Sequence, residues 1–270
     1  MDKSDLPALS LVKAHAFGND FLLMSSAAGV APGDRGNVAR TLCDRHRGIG
    51  ADGLMILTEH AAGAESELFN ADGSPSEVSG NGVRCAAAWL VHKRRMRVGS
   101  TLTIDTVAGP KRLTLIESDG LRHTFRAEMG PPADLREETL DVDGTPVRAV
   151  VLRVGNPQCV VLGEVSEDRL HHLASKLAVH PFILEGTNVE LAAVEAPDRV
   201  RILIWERGVG PTEASGTGAC AAAVAAAYAG GASRIVDVVS PGGTQHVEWT
   251  DETIWLTGWA RLIGGVDWWE

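Results

Sequence analysis

Pro75-Ser76-Glu77-Val78-Ser79-Gly80-Asn81-Gly82 returns later in the chain as Pro211-Thr212-Glu213-Ala214-Ser215-Gly216-Thr217-Gly218. Five of the eight positions are identical, and the 136 residues from Ser79 to Ser215 are about half of the 270-residue chain. Two more anchors keep that spacing. Gly18-Asn19 matches Gly155-Asn156 at 137 residues, and Gly50-Ala51-Asp52 matches Gly186-Thr187-Asn188 at 136. A period of this length is far too long for a solenoid and describes duplication of a whole domain. The expected division is residues 1–125 for the first half-domain, with 258–270 as a candidate return to it, and 126–257 for the second. The boundary is expected between Arg122 and Asp134, where Gly130-Pro131-Pro132 marks a loop.

Each copy of the repeat leads into an alanine-rich run. Asn81 to Lys93 and Thr217 to Tyr228 read as helices that are apolar on nearly every side, and so as buried ones. Gly36 to Arg45 reads as a helix capped by Asp34. Glu167 to Val179 reads as one capped by Ser166 and stopped before Pro181. Between these, short β-branched runs bounded by turns read as strands. They are Leu9 to Val12, Phe21 to Ser25, Leu54 to Thr58, Leu102 to Thr106 and Arg112 to Ile116 in the first half. In the second they are Val147 to Val154, Cys159 to Leu162, Val189 to Val194, Arg199 to Trp205, Ile235 to Ser240 and Thr253 to Gly258. The predicted class is α+β: two related domains, each a mainly antiparallel, barrel-like sheet around a central helix.

Bulk properties narrow the function. A net charge of −10 argues against nonspecific nucleic-acid binding. Hydrophobic residues make up 44% of the chain, enough for packed cores. Met1 to Ser10 lacks the basic and apolar regions of a signal peptide. The longest small-apolar run, Ala219 to Ala232, is 14 residues and too short to span a bilayer. A cytoplasmic protein without membrane contact is expected. The four cysteines, Cys43, Cys85, Cys159 and Cys220, form no C-x-x-C pair, so they are expected free and buried, with no metal site. Gly48-Ile49-Gly50-Ala51-Asp52-Gly53 fits G-x-G-x-x-G, but a charged stretch precedes it and a strand follows. A dinucleotide site needs the reverse order.

The repeated Ser-Gly-x-Gly is the chemical signal. Glycines at a helix start let backbone N–H groups approach a ligand, and the helix N-terminus favours an anion. A single serine there reads as an N-cap. Two copies related by duplication point instead to a ligand site served by both, with a carboxylate or phosphate as natural occupant.

These segments together resemble the diaminopimelate epimerase family. The matching runs are Gly18-Asn19-Asp20-Phe21, Asp44-Arg45-His46, Gly48-Ile49-Gly50-Ala51-Asp52-Gly53, Phe69-Asn70-Ala71-Asp72-Gly73-Ser74 and Gly80-Asn81-Gly82-Val83-Arg84-Cys85. In the second half they are Gly155-Asn156-Pro157, Glu185-Gly186-Thr187-Asn188-Val189, Glu206-Arg207-Gly208-Val209-Gly210 and Gly216-Thr217-Gly218-Ala219-Cys220. The family is pyridoxal-independent and inverts an α-carbon with two cysteines, one removing the proton and one returning it. The resemblance places those catalytic positions at Ser79 and Ser215. Where the family usually has a histidine after Asn-Pro, this chain has Gln158, a residue expected to stand behind the reacting groups. Where a glutamate usually follows Gly-x-Gly, it has Pro211. The substrate-binding positions implied are Asn19, Asn70, Gly80, Asn81, Asn156, Asn188, Glu206, Arg207, Gly216 and Thr217, which suit the carboxylate and ammonium of an amino acid. The resemblance implies no cofactor, a small amino-acid substrate and, by analogy with the dimers the family often forms, a homodimer.

A serine hydroxyl is several units less acidic than a thiol and rarely ionises without a strong base. Three functions therefore stay open: an isomerase with altered chemistry, a lyase or dehydratase using one face, and a ligand-binding paralogue without catalysis.

Overall fold

The computed structural model describes residues 8–269. Part of Met1 to Ser10 and the final Glu270 lie outside them. The described residues divide into two compact units, one from Met1–Phe125 with Trp259–Glu270 and one from Arg126–Gly258.

The first unit runs β1 (Ala8–Ala16), β2 (Asn19–Ser25), α1 (Arg35–Cys43), β3 (Gly53–His60), β4 (Gly63–Asn70), β5 (Pro75–Ser76), α2 (Gly80–Arg94), β6 (Thr101–Thr106), β7 (Gly109–Asp119) and the start of β8 (Arg122–Gly130). The second continues with β9 (Ala133–Val142), β10 (Thr145–Val154) and β11 (Asn156–Leu162). Then come α3 (Glu167–Arg169), a π-helical turn (Leu170–Ala174) and α4 (Ser175–Leu177). β12 (Asn188–Ala196), β13 (Arg199–Glu206), β14 (Gly210–Thr212), α5 (Gly216–Ala229), β15 (Ile235–Ser240), β16 (Gly243–Trp249) and β17 (Ile254–Trp269) complete it. The division falls inside β8 and inside β17.

The pairing repeats as faithfully as the sequence motif. β2 runs parallel to β3 as β11 does to β12, and β4 runs parallel to β6 as β13 does to β15. The remaining principal pairs are antiparallel, so each unit is a mainly antiparallel, barrel-like sheet closed around one helix. α2 packs against β1, β2, β3, β6 and β7, and α5 against β10, β11, β12, β13, β15 and β16. The alanines of α5 explain the fit. Residues 216–226 are all buried, and methyl-sized side chains let strands approach the helix from all sides.

Several sequence readings need correction. The Gly130-Pro131-Pro132 loop is shorter than it reads, because Gly130 still belongs to β8 and only Pro131 and Pro132 separate β8 from β9. Asp34 makes no side-chain cap bond, because it ends a 3-10 turn (Pro32–Asp34) and has helical rather than extended backbone. The helix expected over Glu167 to Val179 ends at Leu177 and widens into a π turn midway, although Ser166 does cap it by accepting from the Arg169 N–H. Finally, α2 is not uniformly apolar. Arg84, 1% exposed, lies in its core with its guanidinium 5.7 Å from the Phe17 ring centroid.

Candidate active site

In both units the repeated serine is the N-cap of the central helix. Ser79 has extended backbone, and its Oγ accepts from the Gly82 N–H at 3.1 Å. Ser215 does the same with the Gly218 N–H at 3.2 Å. A donor fixed on each serine oxygen, together with the positive helix end, favours negative charge there.

In the first unit, Gly80 and Asn81 open α2. The Asn81 amide donates to Asn19 Oδ1 at 3.3 Å, and Arg84 donates to Asn81 Oδ1. Asn19, the first residue of β2, donates in turn to Asp52 Oδ2 at 2.7 Å. An ionic cluster anchors that corner. Arg45 bridges Asp20 at 2.7 Å and Asp52 at 2.9 Å, and Lys13 reaches Asp20 at 3.0 Å. Burial pushes the Asp20 carboxyl upward, but hydrogen bonds from Arg45 and Lys13 outweigh it and hold its pKa below the ordinary value. Asn70 ends β4 and is bound to the Ser74 hydroxyl at 3.0 Å, a separate turn from the Asn19–Asn81 pair.

In the second unit, Gly216 and Thr217 open α5, and Thr217 Oγ1 lies 3.4 Å from Ser215 Oγ. The Gln245 amide donates to the Ser215 carbonyl at 3.2 Å. Asn156 opens β11 and accepts from the Gln158 amide at 2.8 Å. Asn188, level with Gln158 on the neighbouring parallel strand, accepts the Arg207 N–H at 2.9 Å. Arg207 also donates to the Glu185 carbonyl at 2.7 Å. Glu206 closes β13 opposite Gly210. Asn156, Gln158 and Asn188 thus cluster at the start of two adjacent strands, with Arg207 just past the end of the next.

The two serine surroundings differ. The repeat sets Met55, between Leu23 and Leu68, against Glu190, between Val160 and Ile204. It likewise sets Phe21 against Gln158. Under α2 the missing Cβ of Gly82 would lie 2.9 Å from Met55 Sδ and 3.4 Å from the Phe21 ring. Under α5 the missing Cβ of Gly218 would lie 2.6 Å from Glu190 Oε1. Ser79 is therefore backed by apolar groups and Ser215 by a carboxyl. Glu190 is completely buried, and burial, followed by the charge of Glu206, raises its pKa well above the ordinary value.

Glu190 escaped the sequence reading because it sits inside the apolar run from Val189 to Val194. The signal was available: an acidic residue on the inward phase of a buried strand. Asp20 and Asp52 lie in the motifs but have no role that sequence shows, and their shared contact with Arg45 gives them one.

The cysteines sit apart from the serines' chemistry. All four are buried, and none is in a disulfide. Burial raises Cys43 and Cys159 to about 12, and Cys85 further in the same direction. Among the described residues no group of three or more His, Cys, Asp or Glu side chains is placed to hold a metal ion. An open groove of about 640 Å³ in the second unit, lined by Val142, Arg148, Leu173 and Lys176 among others, contains none of the candidate residues. No described helix is long and apolar enough to cross a membrane.

With this geometry in place, comparison with known proteins is decisive. The family model for diaminopimelate epimerase matches residues 11–134 and 150–263. The chain belongs to the diaminopimelate epimerase family. It is 38% identical to the diaminopimelate epimerase of Desulforudis audaxviator over 278 aligned positions, covering 96% of this chain and 99% of that one. To the enzyme of the same name from Moorella thermoacetica it is 37% identical, covering 93% and 95%. Its fold matches the crystal structure of a probable proline racemase from Agrobacterium radiobacter with a TM-score of 0.74 over 96% of this chain and 92% of that one, at 17% identity. The chain is an isomerase of the racemase and epimerase type.

Proposed function

We propose that this isomerase inverts the α-carbon of diaminopimelate or a close diamino-dicarboxylate without pyridoxal, using Ser79 and Ser215 as the two groups that exchange a proton with that carbon. The observation that carries the reading is the paired N-cap: each serine heads the central helix of its unit and holds its oxygen against a glycine N–H. The amides of Asn19, Asn70, Asn81, Asn156 and Asn188, the N–H groups after Gly80 and Gly216, the Thr217 hydroxyl, and the Glu206 and Arg207 charges supply what a zwitterionic head group needs. The relatives' names support diaminopimelate as the substrate class. We place the protein in the cytoplasm, as a homodimer, acting in lysine biosynthesis.

The difference between the serine surroundings favours one second reading, a lyase or dehydratase in which a single face acts. Proton NMR in deuterium oxide with LL- and meso-diaminopimelate separates the possibilities. Exchange of the α-proton with inversion supports the isomerase. Release of water or ammonia supports the lyase. Saturable binding without either means a binding protein, and both catalytic readings fail.

A further inference from the structure

We propose that Glu190 is the proton reservoir behind Ser215: a buried carboxylic acid that passes a proton through the serine hydroxyl to the substrate carbon and takes it back in the opposite direction. The proposal deepens the isomerase reading and rests on it. Three geometric observations carry it. Glu190 Oε1 and Ser215 Oγ both lie close to one point, 2.6 Å and 3.2 Å from the Cβ position that Gly218 leaves open. Neither carboxyl oxygen of Glu190 has a hydrogen-bond partner among the described residues, although the side chain is completely buried. Two neighbours on the same sheet face, Gln158 through Oε1 and Thr212 through Oγ1, have unmet hydrogen-bonding capacity as well. Buried polar atoms are nearly always satisfied, so such a grouping below a helix start supplies acceptors for a transferable proton.

The chemistry balances without an outside reagent. As the α-carbanion takes the Ser215 proton, the carbon–hydrogen bond forms and the serine O–H breaks. The serine oxygen takes the Glu190 proton through one water, since the two groups are not hydrogen-bonded to each other, leaving a carboxylate. The reverse sequence removes a proton from the substrate and stores it on Glu190. A free alkoxide is avoided at Ser215, whose oxygen regains a proton as it gives one up, which answers the weakness of serine as an acid on that face. The charged or titratable groups bearing on Glu190 are few. Glu206 on β13 opposes its ionisation, and Cys159 on β11 has its own thiol pushed up by the Glu190 charge, after burial. Thr212 on β14, Gln245 on β16, and Ser215 with Thr217 at α5 are neutral. Ser79 has Met55 and Phe21 in the equivalent places and no such reservoir, so Glu190 serves one face only.

Because Glu190 acts through Ser215, it is a positioning residue, and the test reads proton movement rather than folding alone. In the full-length protein, Glu190→Gln should slow inversion about 10²-fold or more and remove the carboxyl inflection from the pH–rate profile, with KM little changed. A second measurement needs no substrate. The Ser215→Cys thiol, followed by thiolate absorbance as a difference from wild type, should titrate in two coupled steps that collapse to one in S215C/E190Q. If the wild type exchanges no α-proton, the isomerase reading falls, and the thiol titration alone decides whether Glu190 and position 215 share a proton. Identical pH profiles with and without Glu190, or identical S215C titrations, overturn the proposal.

Discussion

Adding one methyl group at Gly82 and at Gly218 should separate the two helix starts that the repeat makes look alike. In both, Gly→Ala gains about 0.5–1 kcal/mol of helix propensity. At Gly82 the new methyl meets the Met55 sulfur at 2.9 Å. A thioether on a flexible chain can give by the few tenths of an ångström required, so G82A should lie within about 0.5 kcal/mol of wild type. At Gly218 the methyl meets Glu190 Oε1 at 2.6 Å and the Ser215 side chain at 3.1 Å. The carboxyl is enclosed on every side, and overpacking of this kind costs about 1–3 kcal/mol. Set against the propensity gain, the net loss for G218A is about 0–2.5 kcal/mol, centred on ~1.3 kcal/mol, or roughly 4–6 °C in the melting of a unit of this size. Thermal melts by circular dichroism at pH 6 provide the readout. A double-mutant cycle sharpens it: with Glu190→Ala in place, the Gly218→Ala penalty should vanish, a coupling of about 1 kcal/mol or more. Equal melting shifts for G82A and G218A, or a coupling near zero, would refute the placement of Glu190 against α5.

Three further outcomes follow from the charges and the serines. Glu190 keeps its proton in the folded state at pH values where the unfolded chain, with a pKa near 4.5, has lost it. The Glu190 contribution is therefore greatest below that value and falls by about 1.4 kcal/mol per pH unit as pH rises toward the folded pKa, and E190Q should remove that part of the slope in urea titrations from pH 4 to 8. Asp20 has the opposite sign: its folded pKa lies below 3.8, so its contribution is complete above 3.8 and is lost as pH falls through the folded value. D20N should cost about 1–3 kcal/mol at pH 7 and progressively less below pH 3.8, checked by denaturation across that range. Ser79→Cys combined with Ser215→Cys should accelerate α-proton exchange by at least about 10²-fold, because a thiol ionises far more readily at the same helix end. Unchanged exchange by NMR would mean that the serines do not touch the reacting carbon.

The duplication, the two buried helices and their serine caps were legible in the sequence because glycine and serine at a helix start leave a fixed local pattern. The strands that escaped notice share a different property. β4 turns Ala64, Ser66 and Leu68 inward, β8 turns His123, Phe125 and Ala127, and β16 turns Gln245 and Val247. Alternation is present in each, but small or polar inward residues hide it from a hydrophobic reading. β9 is exposed along most of its length and has little inward face to read. Asp34 looked like a cap because residue type was visible and backbone conformation was not. The candidate site divides in the same way. Asn19, Asn81, Asn156 and Asn188 were recognisable by their motifs. The bonds from Asn81 to Asn19 and from Gln158 to Asn156 depend on side chains brought level by strand pairing. Glu190 was hidden because in sequence it is one acid in an apolar strand, while in space it lies under Gly218.

The central chemical claim is that two serines, one from each half of the duplication, move the α-proton. Ser79→Gly and Ser215→Gly test it most directly, since glycine at an N-cap costs only a few tenths of a kcal/mol and leaves the helix in place. The measurement is the rate of conversion of LL- to meso-diaminopimelate in deuterium oxide for each variant beside wild type. The predicted result is inversion, with one solvent deuterium at the α-carbon, in the wild type and loss of inversion in both glycine variants. Inversion that continues undiminished without either hydroxyl would contradict it.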